Sequence, residues 1–212
     1  MESWKDRLWL SRKEGVGFAA PGGEFTRAFG QWLMTEEGAP VRRALQNTPL
    51  VELGAGMYHF GYELAALTGC KSYTGVEPFY GDCLEAAIKT FKSERVPLGP
   101  KARVVSQDML SFLKTVPDES THILACGIEQ CILPDYTYRV KVEKEIERVT
   151  GKRYVSLLSQ SDLTPRLPVL LTAQFSPENR KNQDVLRVVG RTLDGSADTK
   201  TTVIQEAPQL IL

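Results

Sequence analysis

From residue 49 onward the chain switches repeatedly between two hydrophobic patterns. Short continuous apolar runs, which suit buried strands, alternate with segments whose apolar residues recur at helical spacing. Pro49-Leu50-Val51-Glu52-Leu53 is a run of the first kind, stopped by Gly54-Ala55-Gly56. Phe60, Leu64 and Leu67 follow at helical spacing, with Gly69 placed to end that helix. Ser72 to Val76 reads as a second strand ending at Glu77-Pro78, and Leu84, Ala87, Ile88 and Phe91 mark the next helix. Ala102 to Ser106 is a third strand, followed by Asp108 and a short helix through Met109, Phe112 and Leu113. His122 to Ala125 is a fourth, closed by Cys126-Gly127. Val142, Ile146 and Val149 mark a helix from about Asp135 to Gly151, and Arg153 to Leu158 is a fifth strand.

Parallel strands need crossover connections, and right-handed crossovers place helices on both faces of the sheet. The pattern therefore predicts a doubly wound α/β fold with a mostly parallel sheet. The end of the chain departs from it. Asp162 to Gln174, broken by Pro165 and Pro168, reads as a short helix from Thr164-Pro165 or as an irregular segment. Val185 to Leu193 and Thr199 to Glu206 are β-rich, and Asp194-Gly195-Ser196-Ala197-Asp198 between them suggests an antiparallel hairpin. At the other end, Met1 to Pro21 has no sustained period and is punctuated by Gly15, Gly17 and Pro21, as in a loosely attached arm. Phe25, Ala28, Phe29 and Trp32 then predict an amphipathic helix ending near Gly38, with a second short one over Val41 to Leu45. This divides the chain into an N-terminal arm and helical cap, residues 1–47, and an α/β domain, residues 48–212.

Composition narrows the classes. The 212 residues carry 26 Lys plus Arg and 26 Asp plus Glu, a formal net charge of zero, which gives no general case for a polyanionic partner. An apolar share of 42% is that of a folded chain able to bury a core without disulfides. No apolar run reaches bilayer length, and Met1 to Asp6 lacks a signal-peptide core, so no membrane association and a cytoplasmic location are expected. The four cysteines, Cys70, Cys83, Cys126 and Cys131, match no zinc spacing and read as reduced thiols, most of them core filler. Only two histidines occur, His59 and His122, and no H-E-x-x-H, G-x-S-x-G or P-loop motif is present.

Candidate chemistry gathers where the strands end. Glycines at Gly54 and Gly56, flanking Ala55, let backbone approach a ligand at the carboxyl edge of the sheet, where open α/β sheets bind ligands. Glu77 follows about 20 residues later, where a carboxylate can accept both hydroxyls of a ribose. Asp108, in Ser106-Gln107-Asp108-Met109, could accept from an adenine amino group with Met109 against the ring. Each acid also has a plain structural reading: Glu77 as a solvated strand end, Asp108 as a helix N-cap. Together they point to an adenosine site. A dinucleotide turn would carry a third glycine where His59 stands, and no Tyr-x-x-x-Lys pair exists, so nicotinamide cofactors are disfavoured.

Leu50-Val51-Glu52-Leu53-Gly54-Ala55-Gly56, Gly75-Val76-Glu77-Pro78, Ser106-Gln107-Asp108-Met109 and Ile123-Leu124-Ala125-Cys126-Gly127-Ile128-Glu129-Gln130 resemble the successive motifs of class I S-adenosylmethionine-dependent methyltransferases. The resemblance covers about Thr48 to Ser159. It implies a seven-stranded, mostly parallel sheet with an antiparallel strand at the end, and S-adenosyl-L-methionine as cofactor. It also implies that Gly54, Ala55 and Gly56 pass close to the methionine moiety and that Glu52 lies beneath them near its amino group. Glu77, beside Pro78, would bind the ribose hydroxyls. Gln107, Asp108 and Met109 would frame the adenine, and Cys126 and Gly127 would lie near the donor methyl. Two departures stand out: Glu129-Gln130 replaces a common Glu-His pair, and the Pro-broken 162–174 segment replaces a longer helix.

The implied function is in-line methyl transfer to a small-molecule acceptor, because little chain remains for a large recognition domain and the neutral charge argues against nucleic acid. Glu129, His59 and Tyr80 are candidate bases, none of them assigned as catalytic; Glu129 also reads as a helix start, His59 as a loop or helix-start residue, and His122 as a structural group in a buried strand. Phe25, Phe29 and Trp32 could line an acceptor pocket or pack on the sheet, and packing is preferred. The alternative function is a catalytically silent methyltransferase-like subunit that binds a partner. A homodimer is compatible with either.

Overall fold

Burial along the strands reproduces the two-sided pattern of the sequence. In a computed structural model of the protein, the described residues are 29–56, 60–94, 99–126, 128, 135–159, 163, 165–175, 184–190 and 200–204. The expectations for Met1 to Ala28, His59, Gly127, Glu129 to Cys131 and the 194–198 loop lie outside them.

The elements are, in chain order, α1 (Ala39–Leu45), β1 (Pro49–Leu53), α2 (Phe60–Thr68), β2 (Ser72–Val76), α3 (Gly81–Glu94), β3 (Lys101–Val105) and α4 (Met109–Leu113). After them come β4 (His122–Ala125), α5 (Tyr136–Thr150), β5 (Ser156–Ser159), β6 (Val169–Phe175), β7 (Asp184–Val189) and β8 (Lys200–Ile204). Residues 29–33, ahead of α1, are helical. The strands form one sheet in the order β3-β2-β1-β4-β5-β7-β6-β8. β3, β2, β1, β4 and β5 are mutually parallel, and β7 runs antiparallel between β5 and β6.

Alternation along each strand sends successive side chains to opposite faces. Leu50, Tyr73, Leu124 and Leu157 join one cluster, which α1, α2 and α3 cover with Val41, Leu45, Tyr62, Leu64, Leu84 and Ile88. Val51, Leu53, Val76, Ile123, Ala125 and Leu158 join the other, covered by Met109, Phe112 and Leu113 of α4 and Val142, Ile146 and Val149 of α5. The sheet is thus wound on both faces, as expected. Phe29 and Trp32 stack at 5.6 Å and are buried in the first cluster, so both pack on the sheet. His122 is also structural: it is 1% exposed, and its Nδ1 accepts from the Val155 N–H at 3.0 Å.

The helix stops fall where the glycines do. Gly69 and Gly151 both take positive φ, +70° and +50°, the region that a Cβ disfavours. Asp135 caps α5 by accepting from Tyr138 N–H at 2.9 Å, and Arg148 in its last turn ties the carbonyls of Leu113 and Val116 to the helix at 2.7 and 2.8 Å.

Two expectations for the C-terminal region are corrected. The described residues 165–174 are neither helix nor wholly irregular: β6 begins directly after Pro168, whose missing N–H is harmless at a strand start. The antiparallel C-terminal pair is present, but β6 and β7 form it, while the two runs expected to make a hairpin are not partners. β7 pairs with β5 and β6, and β8 is an added edge strand parallel to β6. Hydrogen-bond partners far along the chain decide this, and hydrophobic spacing does not encode them.

Candidate functional site

The chain direction of strand succession reverses between β1 and β4, and the loop after β1 opens at that point. Gly54 and Gly56 both take φ +66°. The N–H groups of Gly54 and Ala55 donate to the Val76 carbonyl at 2.9 and 3.2 Å, and that of Gly56 donates to Glu77 Oε2 at 2.9 Å. The loop is therefore lashed to the end of β2.

The two glycines do different work. A Cβ on Gly54 would lie 2.3 Å from Cγ2 of Ile128, a buried residue beyond β4. A Cβ on Gly56 would meet no atom of the described residues within 4 Å. Gly54 serves close packing, whereas Gly56, at the carboxyl edge of the sheet, has room for a Cβ among the described residues.

Glu77 is 5% exposed, not a solvated strand end. Its Oε1 accepts from the N–H groups of Phe79 and Tyr80 at 2.8 and 3.4 Å, and its Oε2 from Gly56. The carboxylate so joins the first loop to the turn containing Pro78 and orients itself at the rim of the site. Asp108 caps α4, its Oδ1 accepting from Ser111 N–H at 3.1 Å and from Tyr138 Oη–H at 3.1 Å. The helix-cap reading thus holds for Asp108, and the tyrosine of α5 adds a second restraint. Gln107 is half-buried beside it, and Met109 is buried in the second cluster. Cys126, at the end of β4, is half-buried beside the first cluster. Tyr80 is buried, and its backbone belongs to the Glu77 cradle.

Glu52 lies lower, beneath the loop and 7% exposed. Tyr73 Oη–H donates to its Oε2, and the Gly61 N–H at the start of α2 also donates to the carboxyl group. Burial pushes the Glu52 carboxyl up to about 8, with the Tyr73 and Gly61 hydrogen bonds opposing the shift and the Glu77 charge adding to it. Tyr73, Gly61 and Tyr138 were not singled out by the sequence. The only signal was alternation: Tyr73 and Gly75 share a face of β2, and Gly75 is in register with Glu52.

A cavity of about 350 Å³ lies elsewhere, at the amino ends of β1, β2 and β3, lined by Val51, Thr74, Lys101, Arg103, Phe112 and Thr121 among others. It is on the far side of the sheet from the glycine loop, and exposed cations such as Lys101 are the usual guard of an edge strand. Among the described residues no group of three or more His, Cys, Asp or Glu side chains is placed to hold a metal ion. None of the described helices is long and apolar enough to cross a membrane.

The strand order and the reversed β7 are those of the fold found in class I S-adenosylmethionine-dependent methyltransferases. Solved structures bear this out. The N-methyltransferase NodS from Bradyrhizobium japonicum WM9 superposes with a TM-score of 0.57 at 13% identity, over 80% of this chain and 98% of that one. The putative methyltransferase yhhF from Escherichia coli gives 0.54 at 16% identity, over 82% and 87%. Spermidine synthase from Thermotoga maritima gives 0.55 at 12% identity, over 82% and 62%. In the bifunctional kinase-methyltransferase WbdD, this chain spans 41% of the length, with a TM-score of 0.56 at 13% identity. No family model matches the chain, and comparison with curated protein sequences gives no match.

Proposed function

We propose that the protein binds S-adenosyl-L-methionine at the carboxyl ends of β1 to β4 and transfers its methyl group to a small-molecule acceptor by in-line displacement. The observation that carries this reading is the Gly56–Glu77 junction: a glycine whose Cβ position meets no described residue, its N–H donating at 2.9 Å to a buried carboxylate at the end of the neighbouring strand. S-adenosylmethionine supplies a methyl group already activated on a sulfonium. The chain's own residues need only bind, orient and exclude water.

Each has a stated task. Gly56 leaves room for the methionine end. Glu77 is pre-aimed by three backbone N–H groups and accepts the ribose hydroxyls, each such bond to a charged group contributing roughly 1.5–3 kcal/mol. Asp108, fixed by Tyr138, borders the adenine. Cys126 ends the strand nearest the transferred group. Support for a small acceptor comes from the balanced charge.

Titration calorimetry with S-adenosylmethionine and its demethylated product tests the reading, and no binding of either at millimolar concentration refutes it. Methyl transfer is then sought against a metabolite extract by mass spectrometry. Binding without turnover there points to the silent, partner-binding alternative. Glu77→Ala should weaken S-adenosylmethionine binding by about tenfold or more; unchanged affinity removes Glu77 from the ribose site. Gly56→Ala should cost only about 1–2 kcal/mol of stability, the usual strain of a left-handed non-glycine residue. Its effect on ligand affinity should be the larger one, because the new methyl points into the binding space. A variant that binds normally would place the ligand elsewhere.

A further inference from the structure

Two cations of the edge strand face the cavity at the amino ends of β1, β2 and β3. Lys101, Arg103 and Val105 share one face of β3, and Val105 packs against the cluster that α4 and α5 cover. Both cations therefore stand on the side where α4 roofs the sheet, and both line the cavity of about 350 Å³. Register sets each opposite a hydroxyl of β2, Ser72 facing Lys101 and Thr74 facing Arg103. Thr74 is 7% exposed, and its Oγ1 accepts from Arg103 Nε–H at 3.1 Å. The guanidinium is held by its inner nitrogen, so its two terminal amino groups are the donors that a ligand's oxygens can meet. The rest of the wall has another character. Val51 and Phe112, both buried in the second cluster, form an apolar floor, with the hydroxyl of buried Thr121 at its edge. None of the described lining residues is acidic. Of the two acids in the loop after α4, Asp118 pairs with Arg148 of α5 at 2.5 Å, and Glu119 lies against Gly151. Guarding an edge strand needs charge in solvent; it needs neither a cavity nor a guanidinium fastened to a buried hydroxyl.

We propose that this cavity is a separate binding site for a small phosphate monoester, its phosphate held between Arg103 and Lys101 and its apolar body set against Val51 and Phe112. The two cations occupy alternate positions of one strand, about 7 Å apart along it, so a phosphate between them meets both. A dianion balances the two charges, which a carboxylate does not. The volume lies at the small end of ligand pockets, roughly 300–1,000 Å³, and suits one ring with one charged group. The site is at the opposite edge of the sheet from the glycine loop and does not depend on what that loop binds.

Calorimetry on the full chain at low salt, with phenyl phosphate, inorganic phosphate and benzoate as probes, tests this. Phenyl phosphate should bind at millimolar concentration or below. Inorganic phosphate lacks the apolar body and benzoate lacks the second charge, so each should bind about tenfold more weakly. Equal affinity for either overturns the assignment. Arg103→Ala should weaken phenyl phosphate binding by about tenfold or more. Lys101→Gln, at an exposed position, should weaken it several-fold and decides the matter where the arginine variant folds poorly. Lys89→Gln, an exposed lysine on α3, should change nothing. An equal loss there would reduce the effect to net charge and overturn the inference, as would binding that survives both cavity variants. Saturation with the demethylated donor product should leave phenyl phosphate binding unchanged; displacement would put the anion at the carboxyl edge and overturn the inference. Absence of phenyl phosphate binding to the wild type at millimolar concentration overturns it too, and leaves the donor reading untouched.

Discussion

Gly61→Ala is expected to lower stability by about 2–4 kcal/mol, read as a fall in the urea midpoint. Ordinary helix energetics predict the opposite sign. Alanine is favoured over glycine inside a helix by about 1 kcal/mol, and Gly61 is the second residue of α2. The difference is Glu52. A Cβ at this position would fall 2.1, 2.4 and 2.8 Å from the three carboxyl heavy atoms. Those atoms are the tip of a side chain, yet they cannot swing away, because Tyr73 holds Oε2 and the surrounding cluster is filled. Relief requires breaking that hydrogen bond or lifting the start of α2, and either disturbs the glycine loop that precedes the helix. A double-mutant cycle isolates the cause: in a Glu52→Ala background, Gly61→Ala should become neutral or stabilising. A stabilising effect in the wild-type background would show that the carboxyl group is not wedged against α2.

Glu52→Gln is expected to flatten the alkaline limb of the stability curve and to exceed the wild type in stability near pH 9. Glu52 has its carboxyl raised from 4.5 to about 8 in the folded protein, so the folded state binds the proton more tightly than the unfolded one. Its contribution is fully present below pH 4.5 and is lost as pH rises through about 8. The total is on the order of 5 kcal/mol, the shift from 4.5 to about 8 converted at about 1.4 kcal/mol per unit. His122 works in the other direction. Burial lowers it from 6.5 to about 4, so its contribution is present above pH 6.5 and is lost as pH falls through about 4. Between pH 4.5 and 6.5 the two slopes oppose each other, and from pH 6.5 to about 8 Glu52 is the one of the two that still acts. Glutamine cannot ionise but keeps an oxygen for Tyr73 to donate to. Urea titrations at about pH 6.5 and pH 9 on both proteins give the answer. A wild type whose stability does not fall over that interval, or a variant that falls equally, would remove Glu52 as the origin.

These two results bear on the same design. A fold that tolerates a buried acid under its glycine loop gives up stability at neutral pH, in a region where apolar packing was available. The acids at the rim behave differently. Glu77 and Asp108 are held by backbone N–H donors and by Tyr138, so they are oriented before any ligand arrives.

By itself the sequence determined the parallel half of the sheet, the helices on both faces and the carboxyl-edge positions of Gly54, Gly56, Glu77 and Asp108. Those features are local. A strand or helix is set by the spacing of its own apolar residues, and a turn by its own glycines, so a single pass along the chain suffices. The tertiary structure alone decided that β6 follows Pro168, that β7 lies between β5 and β6, and that β8 closes the edge. It alone brought Tyr73 and Gly61 to Glu52 and Tyr138 to Asp108, the last pair 30 positions apart. Strand pairing and buried hydrogen bonds join residues whose separation along the chain carries no periodic trace, and only packing in three dimensions brings them together.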